Sequence, residues 1–588
     1  MNRKQRRAAL KQKSSTRKEP SASVGNSADQ LLIDALRLQR ENKFDAAIQV
    51  YRRLLTLEPN HAQAYNNLAC MLQAQGKLRE ASENFAKSLS LMPQLLEQHD
   101  GLIATLVAIL PTLGQAMQKA QQAWPTRLTA EQLFGVAGFA AIADDPMLLY
   151  VIESVPIRQI DLEHVMTALR AELLNLVDRE EAISPRVLAF CCTLAKQCFI
   201  NEYIFALTSE EEGKIARLSA TLAEAIKSEA AIAPISIATV AMYRPLYELA
   251  EGRGLLERTW ASPIDDVLTQ QLREPLQEIE LRASIPRLTP IDDDVSQRVR
   301  QQYEENPYPR WMRGFGKAAS VTVDAHLRSK FPTAAFLPLG DKEPLDILVP
   351  GCGTGYQATM VAQGYKGARV LAVDLSLSSL AYAKRKIPAQ LAGRLEYAQG
   401  DILKLDSLER RFDLIDVTGV LHHMRDPFEG WRILLSLLRP NGFIHLGLYS
   451  ELARRDVVAA RAFIAERGYA STPADIRRCR QDLLQTPLAA LARFADFFSI
   501  SECRDLLFHV QESRTTIPAI KDFIDAHGLK FIGFDLDDNA LHSLRALFAD
   551  NGWSMSDLGK WHLAESRFPN IFSGMYQLWA QKTSTDMN

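Results

Sequence analysis

Paired cysteines are missing from this chain. Its seven cysteines include no Cys-x-x-Cys, and Cys191 and Cys192 are adjacent. That excludes a zinc knuckle and a disulfide framework and fits a reducing compartment, so a cytoplasmic location is expected. An excess charge of one sign is missing too. With 68 Lys and Arg against 70 Asp and Glu, no whole-protein attraction to nucleic acid is implied, and no nucleic-acid partner is expected. The start, Met1-Asn-Arg-Lys-Gln-Arg-Arg7, has no apolar stretch behind it and does not read as a secretory leader. The longest uncharged run, residues 101–118, is interrupted by Pro111 and by polar residues. It reads as a buried helix pair, and no membrane span is expected.

What is present implies several domains. A chain of 588 residues with 47% hydrophobic content exceeds a single core and has ample apolar material. Residues 1–20 carry eight Lys or Arg and one acid, and a Ser/Ala/Gly stretch continues to about residue 27. Such a segment buries too little apolar surface to order itself, so 1–27 reads as a disordered basic tail. It serves either as an arm for an acidic partner or membrane surface, or as a solubilising tail.

An internal repeat follows. Ala35, Ala47, Tyr51, Leu54 and Pro59 recur as Ala69, Ala81, Phe85, Ser88 and Pro93, each 34 residues on, with Tyr65 and Gly76 adding positions in the second copy. This resembles the tetratricopeptide repeat, a helix–turn–helix unit in which alanines let helices approach and aromatics fill the gap. The resemblance covers residues 28–100 and implies a concave face for a protein partner or peptide. A packing or dimerisation role is the other reading. Two copies are few, so the helices after Pro93 are expected to continue or cap the stack. Residues 101–285 read as a helical domain punctuated by Pro125, Pro146, Pro156, Pro185 and Pro234, without a catalytic motif. Within it, 188–206 is expected as one apolar-rich helix with Asn201 and Glu202 embedded, for packing or for binding.

The chemistry is expected farther along. Leu345-Asp-Ile-Leu-Val-Pro-Gly-Cys-Gly-Thr-Gly355 runs from an apolar strand into a Gly-x-Gly-x-Gly turn, and Asp374 closes a second apolar run over 368–374. This is the layout of a nucleoside-binding doubly wound sheet. The glycines let the backbone approach a ligand, and the acid suits ribose hydroxyls. A dinucleotide fingerprint has its third glycine one place later, where this chain has Tyr356. A third strand ends in Gly400-Asp401-Ile402, residues 411–424 read as a fourth, and 437–449 as a turn into a fifth.

In this order of elements, residues 340–450 resemble the class I S-adenosylmethionine-dependent methyltransferases. The segment ahead of them resembles bacterial members that carry tetratricopeptide repeats at the front. The resemblance implies S-adenosyl-L-methionine as the cofactor and assigns its site. Gly351, Cys352 and Gly353 line the methionine part through their backbone, and Gly355 belongs to the same turn. Asp374 holds the ribose and Leu375 packs on the adenine. Asp401 accepts from the adenine amino group, with Ile402 on the ring face. Thr418 and Gly419 border the methionine moiety and the transferable methyl. Pro350 departs from the pattern, since many members carry an acid there. A Rossmann-like fold that binds another nucleoside, or none, is the alternative.

Residues 529–536 and 575–582 alternate as two closing antiparallel strands. The core is thus read as 286–449, a helical cap as 450–516 inserted over the methyl group, and the rest of the domain as 517–588. The expected fold is an all-α tetratricopeptide and helical half followed by an α/β Rossmann-like domain with a seven-stranded sheet. Ahead of the core, Tyr303, Tyr308 and Trp311 either wall the sulfonium or form a collar that docks the helical half. His422 and His423 follow the fourth strand near the substrate entrance. They are the candidate catalytic base, or they brace the loop, while His445 reads as a packed core residue.

In the cap, Asp505, His509 and Glu512 share a face if the stretch is helical. They read as substrate contacts or a buried salt-bridge network, and no metal site is expected. Lacking an Asn-Pro-Pro-Tyr-type loop after strand four, the chain does not fit amino methylation of bases or glutamine. The expected function is methyl transfer by direct displacement to an unidentified acceptor, with the repeats recruiting a protein partner or substrate. The alternative is a non-catalytic adaptor with a degenerate methyltransferase domain.

Overall fold

The computed structural model describes residues 28–97, 99–314, 320–536, 541–542, 544 and 554–583. The basic tail expected at 1–27 lies outside the described residues. The chain divides into two compact units, Met1–Leu95 with Asp145–Met147, and Leu96–Asp144 with Leu148–Asn588.

The first unit is built from two helix pairs, α1 (Ala28–Arg40) with α2 (Phe44–Leu57), and α3 (Ala62–Ala74) with α4 (Leu78–Leu91). Ala35, Ala47, Ala69 and Ala81 are fully buried, as close helix approach requires. Tyr51 ties the pairs together: its hydroxyl donates to Gln39 Oε1 at 2.9 Å and accepts from Asn67 Nδ2 at 3.1 Å. Ser88, standing where the first copy has Leu54, donates to the Ala62 carbonyl at 3.0 Å. Asp145 joins the unit by accepting from Ser82 Oγ at 2.8 Å.

The second unit begins with helices. Gly101–Ile109 and Pro111–Ala123 meet at a 111° bend where Pro111 interrupts the run. No single helix among the described residues is long and apolar enough to cross a membrane, although two such bent pairs are apolar enough when each is taken together. Two longer helices follow, α5 (Ile160–Asp178) and α6 (Pro185–Ile200). The helix expected over 188–206 therefore stops early. Asn201 caps it, and Glu202 and Tyr203 take positive φ angles of 55° and 62°. That reversal frees Glu202 to pair with Arg310 Nε at 3.2 Å.

Helix α7 (Asp294–Glu305) leads toward the sheet, whose first crossovers contain α8 (Tyr356–Gly364) and α9 (Leu377–Lys386). The strands are β1 (Leu345–Pro350), β2 (Ala368–Asp374), β3 (Leu395–Gln399), β4 (Phe412–Val417), β5 (Leu438–Leu448), β6 (Leu529–Phe534) and β7 (Tyr576–Lys582). Their order is β3-β2-β1-β4-β5-β7-β6. Only β7 runs against the others; β6, expected to be antiparallel, pairs with β7 and so shares the direction of the parallel set. β1 and β4 are buried along their whole length, as a strand covered by helices on both faces must be. The strand order reverses between β1 and β4, which opens a crevice beyond their carboxyl ends.

Between β5 and β6 the chain forms α10 (Arg455–Arg467), α11 (Pro473–Leu483) and α12 (Ile500–Phe508), with short helical turns at Pro487–Arg493 and Ala495–Phe497 before α12 and a further helix, Ile517–Ala526, leading into β6. The front helices grip this cap. Arg480 is wholly buried and reaches both carboxylate oxygens of Glu163 at 3.1 and 2.9 Å. Trp124 Nε1 donates to Gln481 Oε1 at 3.0 Å.

Candidate active site

The crevice holds a cavity of about 530 Å³, within the range of small-molecule sites. One wall is the glycine turn after β1. Gly351 and Gly353 have φ of 69° and 50°, in the left-handed region. A Cβ on Gly351 would lie 2.4 Å from Val420 Cγ2, and one on Gly353 would lie 2.4 Å from the Tyr308 carbonyl oxygen. Gly351, Cys352 and Gly353 all line the cavity. Gly355 does not. It starts α8 and packs against Ala383 and the Tyr397 hydroxyl, each 2.6 Å from where its Cβ would stand.

Asp374 ends β2 and also lines the cavity. Its oxygens accept from the Gly353 and Ser376 amides, both at 2.8 Å, which ties the acid to the glycine turn. Burial pushes its carboxyl up to about 6, those amides opposing the shift and Glu304 adding to it. Asp401 follows β3. Its Oδ1 accepts from the Leu403 amide at 3.0 Å, while Oδ2 is buried with no hydrogen-bond partner. A buried acceptor left bare calls for a donor, and the cavity is where one can enter. Leu375 and Ile402 supply apolar wall next in sequence to these two acids, and Thr418 and Gly419, after β4, also line the cavity.

The front wall comes from α7 and the turn behind it. Asp293, Val295, Ser296, Val299 and Tyr303 line the cavity, then Tyr308 and Pro309. This collar is fastened to the glycine turn. Thr354 N–H donates to the Tyr308 carbonyl at 3.3 Å, and the Thr354 hydroxyl bonds the Pro309 carbonyl. Trp311 stands outside the cavity: its indole N–H donates to the Thr354 carbonyl at 2.9 Å, and its own carbonyl accepts from the Tyr382 hydroxyl at 2.5 Å. The Glu304 carboxylate caps α9, accepting from the Leu377 and Ser378 amides at 2.6 and 3.2 Å. The two readings of this segment therefore divide by residue. Tyr303 and Tyr308 wall the pocket, and Trp311 with Glu304 forms the collar.

The histidines divide as well. His423 lines the cavity; His422 is buried behind it, stacked on Tyr449 with centroids 3.6 Å apart. His445 is packed in β5, stacked on Trp579 and 3.1 Å from Asp416 Oδ1. In the cap, α12 stops at Phe508, and His509 takes extended backbone angles (φ −57°, ψ 136°). Asp505, His509 and Glu512 thus do not share one helical face. Glu512 instead pairs with buried Arg454 at 2.5 Å, while Asp505 and His509 approach His423. Sequence reasoning missed Val295, Ser296 and Val299 of α7, and Met424, Arg425, Met575 and Gln577, as cavity residues. The Asp292-Asp-Asp294 run before α7 is a helix-start signal that could have flagged the first of these.

Residues 347–442 match the methyltransferase domain family, and residues 50–81 match the tetratricopeptide repeat. The chain thus carries a class I S-adenosylmethionine-dependent methyltransferase domain and a tetratricopeptide repeat. The chain is similar to an uncharacterized protein of Synechococcus sp., at 28% identity over 306 residues, 48% of this chain and 71% of that one. It is also similar to trans-aconitate 2-methyltransferase of Shigella dysenteriae serotype 1, at 26% identity over 185 residues, 31% of this chain and 66% of that one. Among solved structures, PKMT2 from Rickettsia typhi matches with 18% identity and a TM-score of 0.35. The match covers 44% of this chain and 52% of that chain, so about half of its length is spanned.

Proposed function

We propose that this chain binds S-adenosyl-L-methionine in the crevice and passes its methyl group to an acceptor. Asp401, whose buried Oδ2 has no hydrogen-bond partner, lines one cavity with Asp374, Gly351 and Gly353, and that juxtaposition carries this reading. Asp401 would accept from the adenine amino group between Leu375 and Ile402, and Asp374 from the ribose hydroxyls. Gly351, Cys352 and Gly353 would follow the methionine part, with Thr418 and Gly419 at the methyl end. The bound cofactor supplies an electrophilic methyl on a sulfonium, whose sulfur keeps the bonding pair on displacement. The aromatic faces of Tyr303 and Tyr308 would favour that positive charge. Alignment is then the main demand on the protein. His423 is the group placed to take a proton from the acceptor, and His422 supports its loop. The repeats are assigned the recruitment of a protein partner or substrate, on a helical face of the kind that stacked repeats present.

Incubation with methyl-labelled cofactor and cell extract tests this. Wild type should incorporate label and release S-adenosylhomocysteine, and Asp401→Ala should do neither. Cofactor binding with no transfer to any extract component would favour the adaptor alternative.

A further inference from the structure

The ring stack behind Tyr303 bears on which kind of atom receives the methyl group. His423 and His509 lie face to face, centroids 3.6 Å apart and planes at 20°. The backbone of one residue brackets both rings. The Gln511 carbonyl oxygen is 3.1 Å from His423 Nδ1, and the Gln511 N–H donates to His509 Nδ1 at 3.1 Å. A carbonyl only accepts, so His423 carries its proton on Nδ1 and leaves Nε2 bare. An amide N–H only donates, so His509 Nδ1 is bare and the proton of that neutral ring sits on Nε2.

The direction continues from there. His509 Nε2 is 3.3 Å from the Tyr303 oxygen, and the Tyr303 hydroxyl donates to Asp505 Oδ1 at 2.6 Å. Asp505 Oδ1 stands 3.8 Å from His423 Nε2, too far for a hydrogen bond but close enough to stabilise charge on that ring. One ligand atom each from His423, Asp505 and His509 fall within 4.8 Å of one another, a spacing open to a metal ion. The proton on His509 Nε2 argues against that use, because a ligating nitrogen must be bare.

Resting on the methyl-transfer reading, we propose that His423 Nε2 is a preset base and that the acceptor arrives carrying a proton, as a hydroxyl or an amine, rather than as a carboxylate. A carboxylate is already ionised at neutral pH and needs no base. In the step, the acceptor atom's lone pair forms the bond to the methyl carbon while the carbon–sulfur bond breaks, its pair staying on sulfur. The acceptor's proton passes to His423 Nε2, beside the Asp505 carboxylate. Tyr303, Asp505, His509 and Gln511 are positioning residues. The ionisable groups around His423 are His422, His509, Asp505, Glu512, Arg454 and Tyr449. Burial lowers the pKa of the His423 ring. Asp505, the Gln511 carbonyl and Glu512 oppose that shift, and Arg454 adds to it. The ring is neutral at pH 7, and the base is lost only as pH falls through its lowered pKa.

Long-range proton–nitrogen spectra of the full chain labelled with ¹⁵N-histidine, assigned with His423→Asn and His509→Asn, test the wiring without an acceptor. The expected tautomers are Nδ1–H at His423 and Nε2–H at His509. A bare Nε2 at His509, or one equivalent of zinc that moves both Nε2 resonances, would overturn the proposal. Alkali treatment of label transferred to cell extract tests the acceptor class. Label that resists alkali agrees with ether or N-methyl products, whereas release as methanol marks a carboxyl ester and contradicts the proposal. Asp505→Asn should shift the acid limb of transfer down by about one pH unit while leaving S-adenosylhomocysteine affinity intact; an unmoved limb counts against it. Wild type that fails to bind S-adenosylhomocysteine at all would instead strike the methyl-transfer reading itself.

Discussion

Asp374 links the protonation of one carboxyl to cofactor affinity. Its ionised form is the better acceptor for two ribose hydroxyls, and burial pushes its pKa up to about 6. Protonation on acidification therefore removes the binding form. S-adenosylhomocysteine affinity is expected to fall by about tenfold per pH unit below about pH 6, and Asp374→Asn should flatten that dependence; titration calorimetry from pH 5 to 8 reads both. Gly353→Ala is a second test at this scale. Its Cβ would meet the Tyr308 carbonyl at 2.4 Å, in a left-handed conformation that costs an L-residue about 1–2 kcal/mol. Displacement of the collar and at least about a tenfold loss of affinity are expected, and an unchanged affinity would mean that the collar does not shape the pocket. Gly351, Gly353, Asp374 and Asp401 were legible in sequence because their places follow from where strands end. Gly355 and His422 were not separable from their neighbours. One caps the start of a helix and the other lies on the far side of a short turn, and only packing distinguishes the faces.

At the scale of elements, the segment from α7 to Pro309 forms the front of the site, and the cap packs Asp505 and His509 against its Tyr303 and against His423. Trp311→Phe keeps the ring but removes the indole donor to Thr354, a bond worth about 1 kcal/mol. Cofactor affinity is expected to drop by about fivefold with little change in the sheet, as read by calorimetry and circular dichroism. The strands were readable from their apolar runs and bounding turns, and the place of the cap followed from the gap between β5 and the next alternating segment. Helix ends were harder. The apolar run Cys198-Phe-Ile200 at the end of α6 is taken up again by Tyr203-Ile-Phe205, and only the positive φ at Glu202 and Tyr203 shows the reversal between them. Periodicity likewise carried Glu512 onto a helix that ends four residues earlier, where His509 turns extended to meet Gln511. That turn is what brings His509 against His423.

For the whole molecule, the helices of residues 101–285 are part of the same compact unit as the sheet. Sequence character separated them, because one half is helical and the other alternates, but pair contacts such as Arg480 with Glu163 have no local signal. Removing one partner of a buried pair leaves an uncompensated charge and costs about 3–5 kcal/mol. Arg480→Ala is therefore expected to lower the midpoint of thermal unfolding markedly, and a chain lacking residues 1–285 should lose cofactor binding through misfolding rather than through loss of a partner. Solubility together with S-adenosylhomocysteine binding separates those two causes. The most direct test of the whole account is calorimetric binding of S-adenosylmethionine and S-adenosylhomocysteine to the full chain and to Asp374→Ala. Binding at one site per chain that disappears in the variant is the predicted result; absence of binding to the wild-type chain would contradict it.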